Sequence, residues 1–157
     1  MLFRSSSGVS HNLAAVSAPA YPPTPSSSKI QAVGIVIPVR NQSETIAKCI
    51  HSLFASNSHS GWRNSRWIVV VADACTADTA KIARVALGAF GQVLEVSARS
   101  RQAAHRIGST SVMEHFRDVP RHTLLLASAD ATAELPRDWI EAQLQCSGSP
   151  IALASNH

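Results

Sequence analysis

Four short apolar runs divide the sequence beyond residue 30, and polar or turn-forming residues bound each of them. The first two, Val33–Pro38 and Trp67–Ala72, are rich in β-branched residues and apolar throughout. Runs of this length and composition are typical of strands that are buried on both faces. Gln92–Val96 is a shorter candidate, and His122–Ala127 is the fourth. The pattern therefore predicts four strands.

The segments between these runs carry apolar residues at helical spacing. The first helix is predicted from about Ser43, which is suited to cap its N-terminus, and the second follows Thr76. Residues 97–106 are predicted to form a loop and the start of a helix, and Pro136–Gln145 a short amphipathic helix. Apolar strands that alternate with helices predict an α/β fold, with a mainly parallel, Rossmann-like sheet flanked by helices.

Residues 1–30 differ in composition from the rest of the chain. They are rich in Ser, Pro and Ala, and the first acidic residue of the sequence is Glu44. This composition predicts a disordered arm, followed by one domain over residues 31–157. The sequence contains no apolar run of about 18 residues, so no membrane-spanning segment is expected.

The overall charge and the cysteines narrow the class of protein further. A formal charge of +4 is too small and too scattered to indicate nucleic acid as a partner, although it suits a small anionic ligand. Three cysteines, Cys49, Cys75 and Cys146, lie far apart and are odd in number. They predict neither a disulfide framework nor a metal site, which favours a reducing, cytoplasmic location.

Polar residues follow the predicted strands where a parallel sheet would gather them. The strands end at Pro38, Asp73 and Asp130, and in parallel neighbours these ends open on one edge. One crevice should therefore collect Arg40, Asn41, both aspartates and the arginines of residues 97–106. Carboxylates and guanidiniums in one place suit a nucleotide with a diphosphate and a metal ion.

Each of these residues also has a simpler explanation. Arg40 and Asn41 fit a turn after a strand, and Asp130 fits a turn cap. Asp73 fits a carboxylate that is favoured by the dipole at a helix N-terminus. The arginines, taken singly, are typical of solvated surface. Only their expected meeting at one sheet edge favours a site.

Several common nucleotide and catalytic motifs are missing from the sequence. The segment after the first strand reads PVRNQSE, which is not the glycine-rich turn of a dinucleotide fold. There is no phosphate loop of the G-x-x-x-x-G-K type and no G-x-S-x-G nucleophile elbow. The histidines show no pair at zinc-ligand spacing. What remains is a nucleotide pocket built from side chains.

Four motifs in order, IVIPVRN, VVVADACTADTA, RQAAHRIG and LASADAT followed by LPRDW, resemble the family-2 type of glycosyltransferase with the GT-A fold. The resemblance runs from about Ala32 to Leu144. It implies that Pro38, Arg40 and Asn41 stand in the first loop that touches the nucleotide. The partner that it implies is a nucleotide-diphospho-sugar donor, with an unknown acceptor.

The resemblance also implies roles for three charged residues. Asp73 stands where a carboxylate reads the base of the nucleotide, and Arg101 stands at a basic position near the donor phosphates. Asp130 matches the first aspartate of the family's D-x-D signature, which holds the ribose and a Mg²⁺ or Mn²⁺ ion. The second aspartate is Thr132 in this chain, and a neutral oxygen is a poorer ligand for a hard cation. We therefore expect weakened or lost metal binding unless Glu134 or Asp138 substitutes.

The activity that the resemblance implies is transfer of the sugar to an acceptor hydroxyl with inversion. Members of the family supply a general base and an acceptor-binding half after the D-x-D strand, and no segment for either is visible here. The expectation is a donor-binding domain that is truncated, with no assignable catalytic residue. The alternative is an inactive remnant that acts as a nucleotide-binding or protein-interaction module. A flavodoxin-like small-molecule binder fits the strands but explains neither Arg40-Asn41 nor the sequence DAT.

Overall fold

Parallel strands form a single sheet in the computed structural model, which describes residues 30–56 and 65–146. The strands are β1 (Ala32–Val39), β2 (Arg66–Asp73), β3 (Gly91–Val96) and β4 (Leu124–Ser128), in the order β3-β2-β1-β4. The helices are α1 (Ile46–Ala55), α2 (Ala77–Leu87), α3 (Arg101–His115) and α4 (Trp139–Cys146). The predicted α/β class and parallel, Rossmann-like sheet are confirmed.

The register brings the carboxyl ends of the strands to one edge of the sheet. β1 lies in the centre, and its Val39 pairs with Ala72 of β2. On the other side Val36 of β1 pairs with Ser128, the last residue of β4, and the Val36 carbonyl accepts a hydrogen bond from the Ala129 N–H at 3.0 Å. The segments that follow β1, β2 and β4 therefore leave the sheet on the same side.

Two apolar clusters cover the two faces of the sheet. The larger one packs α1, α2 and α4 against β1, β2 and β4, with Ile35, Ile50 and Ile68 fully buried. Trp139 is also buried in this cluster, at the start of α4. The smaller cluster packs α3 on the opposite face. Because β1 and the middle of β2 are covered on both faces, they form continuous apolar runs, whereas the edge strand β3 is only half-buried and contains Gln92 and Glu95.

The packing of α3 is unusually close because glycines line the contact. A Cβ atom added to Gly34 of β1 would overlap with the side chain of Val112 on α3. A Cβ atom on Gly108 of α3 would overlap with Val36 of β1 in the same way. Because neither glycine has a Cβ atom, α3 can pack closely against β1. This contact fixes where the N-terminus of α3 points.

Some element boundaries differ from the sequence-based prediction. Residues 43–45 form a turn, and α1 begins at Ile46. Ser43 is therefore not the N-cap; the N–H groups of Thr45 and Ile46 both donate to the Gln42 carbonyl instead. α3 continues to His115, well beyond the helix start that was expected from residues 97–106.

Two further expectations concern the ends of the chain and membranes. The predicted arm, apart from Ile30, lies outside the described residues, so the domain boundary at residue 30 stays a prediction. Within residues 30–56 and 65–146, no helix is long and apolar enough to cross a membrane.

Candidate functional site

Asp73, the last residue of β2, ties together the loops at the carboxyl edge of the sheet. Its side chain is only 5% exposed and accepts three hydrogen bonds. Arg40 Nη2 lies 3.0 Å from Oδ2, which also accepts from the N–H of Ser100 at 3.0 Å. The N–H of Arg99 donates to Oδ1 at 2.7 Å. One carboxylate thus joins the loop after β1 to the loop that enters α3.

These donors keep Asp73 ionised. Burial by itself would raise the pKa of this carboxyl. The N–H of Arg99, the guanidinium of Arg40 and the N–H of Ser100 outweigh burial, so the pKa of Asp73 lies below its ordinary value. Asp73 is therefore a permanent anion at neutral pH.

The same edge holds three backbone segments in a conformation that non-glycine residues rarely adopt. Asn41, Ala74 and Arg99 have φ angles of 52°, 51° and 53°. They follow β1, β2 and β3, respectively, by no more than three residues. A left-handed conformation costs about 1–2 kcal/mol for a residue with a Cβ atom. Strain of this kind concentrates at functional sites, where surrounding contacts hold it.

Asn41 and Cys75 hold two of these loops together. The Asn41 side-chain oxygen accepts a hydrogen bond from the N–H of Thr76 at 2.9 Å. The Cys75 thiol donates to the Val39 carbonyl at 3.2 Å and accepts from the N–H of Asn41 at 3.3 Å. These contacts fix the loop after β1 against the loop after β2. Asn41 was predicted to touch the nucleotide, but its side-chain oxygen accepts a hydrogen bond that holds the two loops together.

Asp130 forms a second charged pair beside the first. Its Oδ2 lies 3.3 Å from the Nη2 atom of Arg101, which is the first residue of α3. Its Oδ1 accepts from both the N–H and the hydroxyl of Thr132, at 2.9 and 2.7 Å. The two hydrogen bonds from Thr132, and then Arg101, lower the pKa of Asp130 against the opposing effect of burial. Asp130 is therefore also anionic at neutral pH.

A cleft of about 220 Å³ opens between these groups. Its lining comes from the end of β1 with the loop that follows, the end of β2, and the start of α3 with the loop that precedes it: Pro38, Val39, Arg40, Gln42, Asp73, Arg99, Arg101 and Ala104. The structure thus brings together Pro38, Arg40, Asp73 and Arg101 of the predicted site, and Asp130 joins them through Arg101. The expectation that Asp73 and Asp130 share one edge agrees with this arrangement.

Two residues that line the cleft, Arg99 and Gln42, were not predicted individually as site residues from the sequence. Arg99 stood in the arginine segment, but an isolated arginine is more often part of the solvated surface. Its N–H donates to Asp73, and the residue lines the cleft. Three arginines and one aspartate therefore line the opening, which gives it an excess of positive charge. The clustering of arginines at residues 99–106 was the available signal.

The donor atoms around Asp130 do not fit a divalent cation. Thr132 directs both its N–H and its hydroxyl hydrogen at Asp130, and Arg101 occupies the other carboxylate oxygen. Among the residues that the structure describes, no three His, Cys, Asp or Glu side chains lie close enough to hold a metal ion. Neither Glu134 nor Asp138 therefore completes a three-ligand cluster with Asp130. A hard cation prefers several anionic oxygens.

Two other titratable groups near the site are structural. Burial, with a smaller contribution from Asp130, raises the pKa of the Cys49 thiol to about 12. Its hydrogen is donated to the backbone carbonyl of Asp130 at 3.3 Å, so Cys49 supports the turn after β4. Burial and the neighbouring Arg101 lower the pKa of His105, which therefore adds no positive charge at neutral pH.

Neither the known protein-family models nor the curated proteins include a match to this chain.

Proposed function

We propose that this chain binds a nucleotide-diphospho-sugar in the cleft at the carboxyl edge of the sheet, as a family-2-like glycosyltransferase domain does. The observation that supports this most is the linked set of two aspartates and three arginines around one opening. Ligands of α/β sheets bind outside the carboxyl ends of the strands. Guanidiniums recognise phosphate by paired, charge-assisted hydrogen bonds.

In this proposal the two ends of the donor meet different walls of the cleft. A carboxylate has about four acceptor positions, and three of those on Asp73 are filled by protein donors. The remaining position on Oδ1 accepts from the base of the nucleotide. Pro38, near the end of β1, and Arg40, in the loop after it, contact the nucleoside. Arg99 and Arg101 contact the diphosphate, and Asp130 lies beside the ribose.

The two carboxylates of the site suit donor binding and not proton transfer. A general base works best when its pKa is close to the operating pH, and the pKa values of Asp73 and Asp130 are lowered by their donors. Neither carboxylate is therefore suited to take a proton from an acceptor hydroxyl. Transfer with inversion would need a base and an acceptor site beyond these residues, and the acceptor is not specified by the cleft.

Ligand-induced thermal stabilisation tests donor binding directly. The full chain is titrated with uridine, guanosine and thymidine diphospho-sugars, and the same is done with Arg40→Ala and Arg117→Ala. Arg117 is 82% exposed, so its variant changes the net charge equally at a remote surface. We expect one donor to raise the melting temperature of the native chain and of Arg117→Ala, and to do so much less for Arg40→Ala. No rise with any donor would contradict the proposal.

A second candidate is a donor-binding module without catalytic activity. It is favoured by Thr132, which stands at the second position of the D-x-D signature and hydrogen-bonds to Asp130. Donor hydrolysis and transfer by the chain, with and without Asp130→Ala, separate the two candidates. Turnover that Asp130→Ala abolishes would remove the inactive module. Binding of a donor without turnover would support it.

A further inference from the structure

We infer that the cleft neutralises the diphosphate of its ligand with the guanidiniums of Arg99 and Arg101, and not with a divalent cation. This inference rests on the proposed function, because it concerns the phosphate end of the same ligand. It assigns Asp130 a different role from that of a metal ligand. Asp130 is the partner of Arg101 in the absence of ligand, and a phosphate replaces it.

The hydrogen bonds at Asp130 support this role. Its Oδ1 receives two donors from Thr132, and its Oδ2 receives the guanidinium of Arg101. A hydroxyl whose hydrogen points at a carboxylate strengthens that carboxylate as an anion and orients it. Thr132, which stands at the position of the second aspartate, therefore orients Asp130, the partner of Arg101.

The balance of charge points the same way. Arg40, Arg99 and Arg101 line the opening together with Asp73. Among the described residues, Asp130 is the only other carboxylate that forms an ion pair with one of these arginines. Within that part of the chain, the guanidinium of Arg99 has no ion-pair partner. The site thus carries an excess of one positive charge, which repels a divalent cation and attracts a phosphate.

Arg101 is free to exchange its partner for a phosphate. Its side chain is 66% exposed, and it meets Asp130 through one contact of 3.3 Å, which is long for a charge-assisted bond. Exposed ion pairs of this kind contribute little to stability. A diphosphate offers two or more oxygens to the same planar guanidinium, and so it can compete successfully for Arg101.

The two roles of Asp130 predict opposite effects of one substitution. Asp130→Asn keeps an oxygen that can accept from Thr132 but removes the negative charge beside Arg101. If Asp130 only pairs with Arg101 until a phosphate replaces it, the variant should bind inorganic pyrophosphate more tightly, by about threefold, because a competing anion is gone. If Asp130 is a metal ligand, the variant should lose metal-supported binding. Isothermal titration of the full chain with pyrophosphate measures the difference.

The complete experiment compares four proteins: the native chain, Asp130→Asn, Arg101→Ala and the remote control Arg117→Ala. Each is titrated with pyrophosphate and with uridine, guanosine and thymidine diphosphates, once in EDTA and once in Mn²⁺. We expect equal affinities in EDTA and Mn²⁺, and about a tenfold loss for Arg101→Ala, which corresponds to one charge-assisted hydrogen bond. Arg117→Ala should bind as the native chain does.

The outcomes separate this inference from the proposed function. Nucleoside diphosphates that bind only with Mn²⁺, or that bind equally well to Arg101→Ala and Arg117→Ala, would overturn the inference and leave the proposed function standing. Metal-free pyrophosphate binding that depends on Arg101, with no gain from any nucleoside, would support the inference and contradict the proposed function. Absence of binding by every probe would overturn both.

Discussion

The N–H of Arg99 donates to the Oδ1 atom of Asp73 at 2.7 Å, and this contact anchors the entry to α3 on the last residue of β2. Arg99 reaches that position only because its backbone is left-handed. The neighbouring N–H of Ser100 then meets the other oxygen of the same carboxylate. A buried anion therefore holds in place the loop that brings Arg99 and Arg101 to the cleft.

Replacement of Asp73 by Asn should destabilise the fold at neutral pH but not in acid. The pKa of Asp73 is lowered in the folded chain, so the stability that its charge contributes is present above the ordinary value of 3.8. That contribution is lost as the pH falls through the lower, folded-state pKa. Urea denaturation should give Asp73→Asn a lower midpoint at neutral pH, and the two midpoints should converge in strong acid.

Asp118→Asn is the matched control for this substitution, because the side chain of Asp118 is 94% exposed. Its denaturation midpoint at neutral pH should equal that of the native chain. An Asp73→Asn variant as stable as the native chain at neutral pH would show that the carboxylate does not hold the loops.

The contact between Gly34 and Val112 should be sensitive to a single methyl group. Gly34→Ala places a Cβ atom where the Val112 side chain lies, and overpacking of this kind costs about 1–3 kcal/mol. In the double variant Gly34→Ala, Val112→Ala the clash is relieved. The free energies of unfolding should therefore be non-additive, and the double variant should be more stable than the sum of the single changes predicts. Strict additivity would contradict the close approach of α3.

The strands were predictable because their burial on both faces leaves a continuous apolar run, as in Ile35–Ile37 and Ile68–Val71. The length of α3 could not be predicted in the same way, because its buried face consists mainly of small residues. Gly108, Ser109 and Ser111 are buried against the sheet, and they give no apolar periodicity. Close helix–sheet packing thus removed the signal that normally reveals a helix.

The site was predictable only as far as topology determines it. Asp73 and Asp130 could be placed at one edge from the strand ends alone. The partners of these carboxylates depend on backbone angles at Arg99 and on the turn at Thr132, which residue types do not specify. Thr132 is a missing ligand in the sequence pattern, whereas in the structure it is a hydrogen-bond donor.

The three cysteines should differ in their rates of alkylation. The nucleophile is the thiolate, and burial raises the pKa of Cys49 to about 12, so this residue stays protonated at neutral pH. Cys146 is exposed and Cys75 is half-buried with its hydrogen donated to Val39. Iodoacetamide labelling followed by mass spectrometry should give the order Cys146, Cys75, Cys49. Labelling of Cys49 as fast as Cys146 in the folded chain would contradict the burial.

Ala74→Gly should separate stability from ligand binding at the strained edge. Ala74 has a φ of 51°, and removal of its Cβ relieves about 1–2 kcal/mol of strain. The greater freedom of glycine in the unfolded chain offsets about 0.5–1 kcal/mol of this gain. The free energy of unfolding should therefore stay equal or rise, whereas the control Ala86→Gly, inside α2, should lose about 1 kcal/mol. Glycine also loosens the loop beside Asp73, so donor binding should weaken in Ala74→Gly although its stability does not fall. Equal losses of stability in Ala74→Gly and Ala86→Gly would show that Ala74 is not strained.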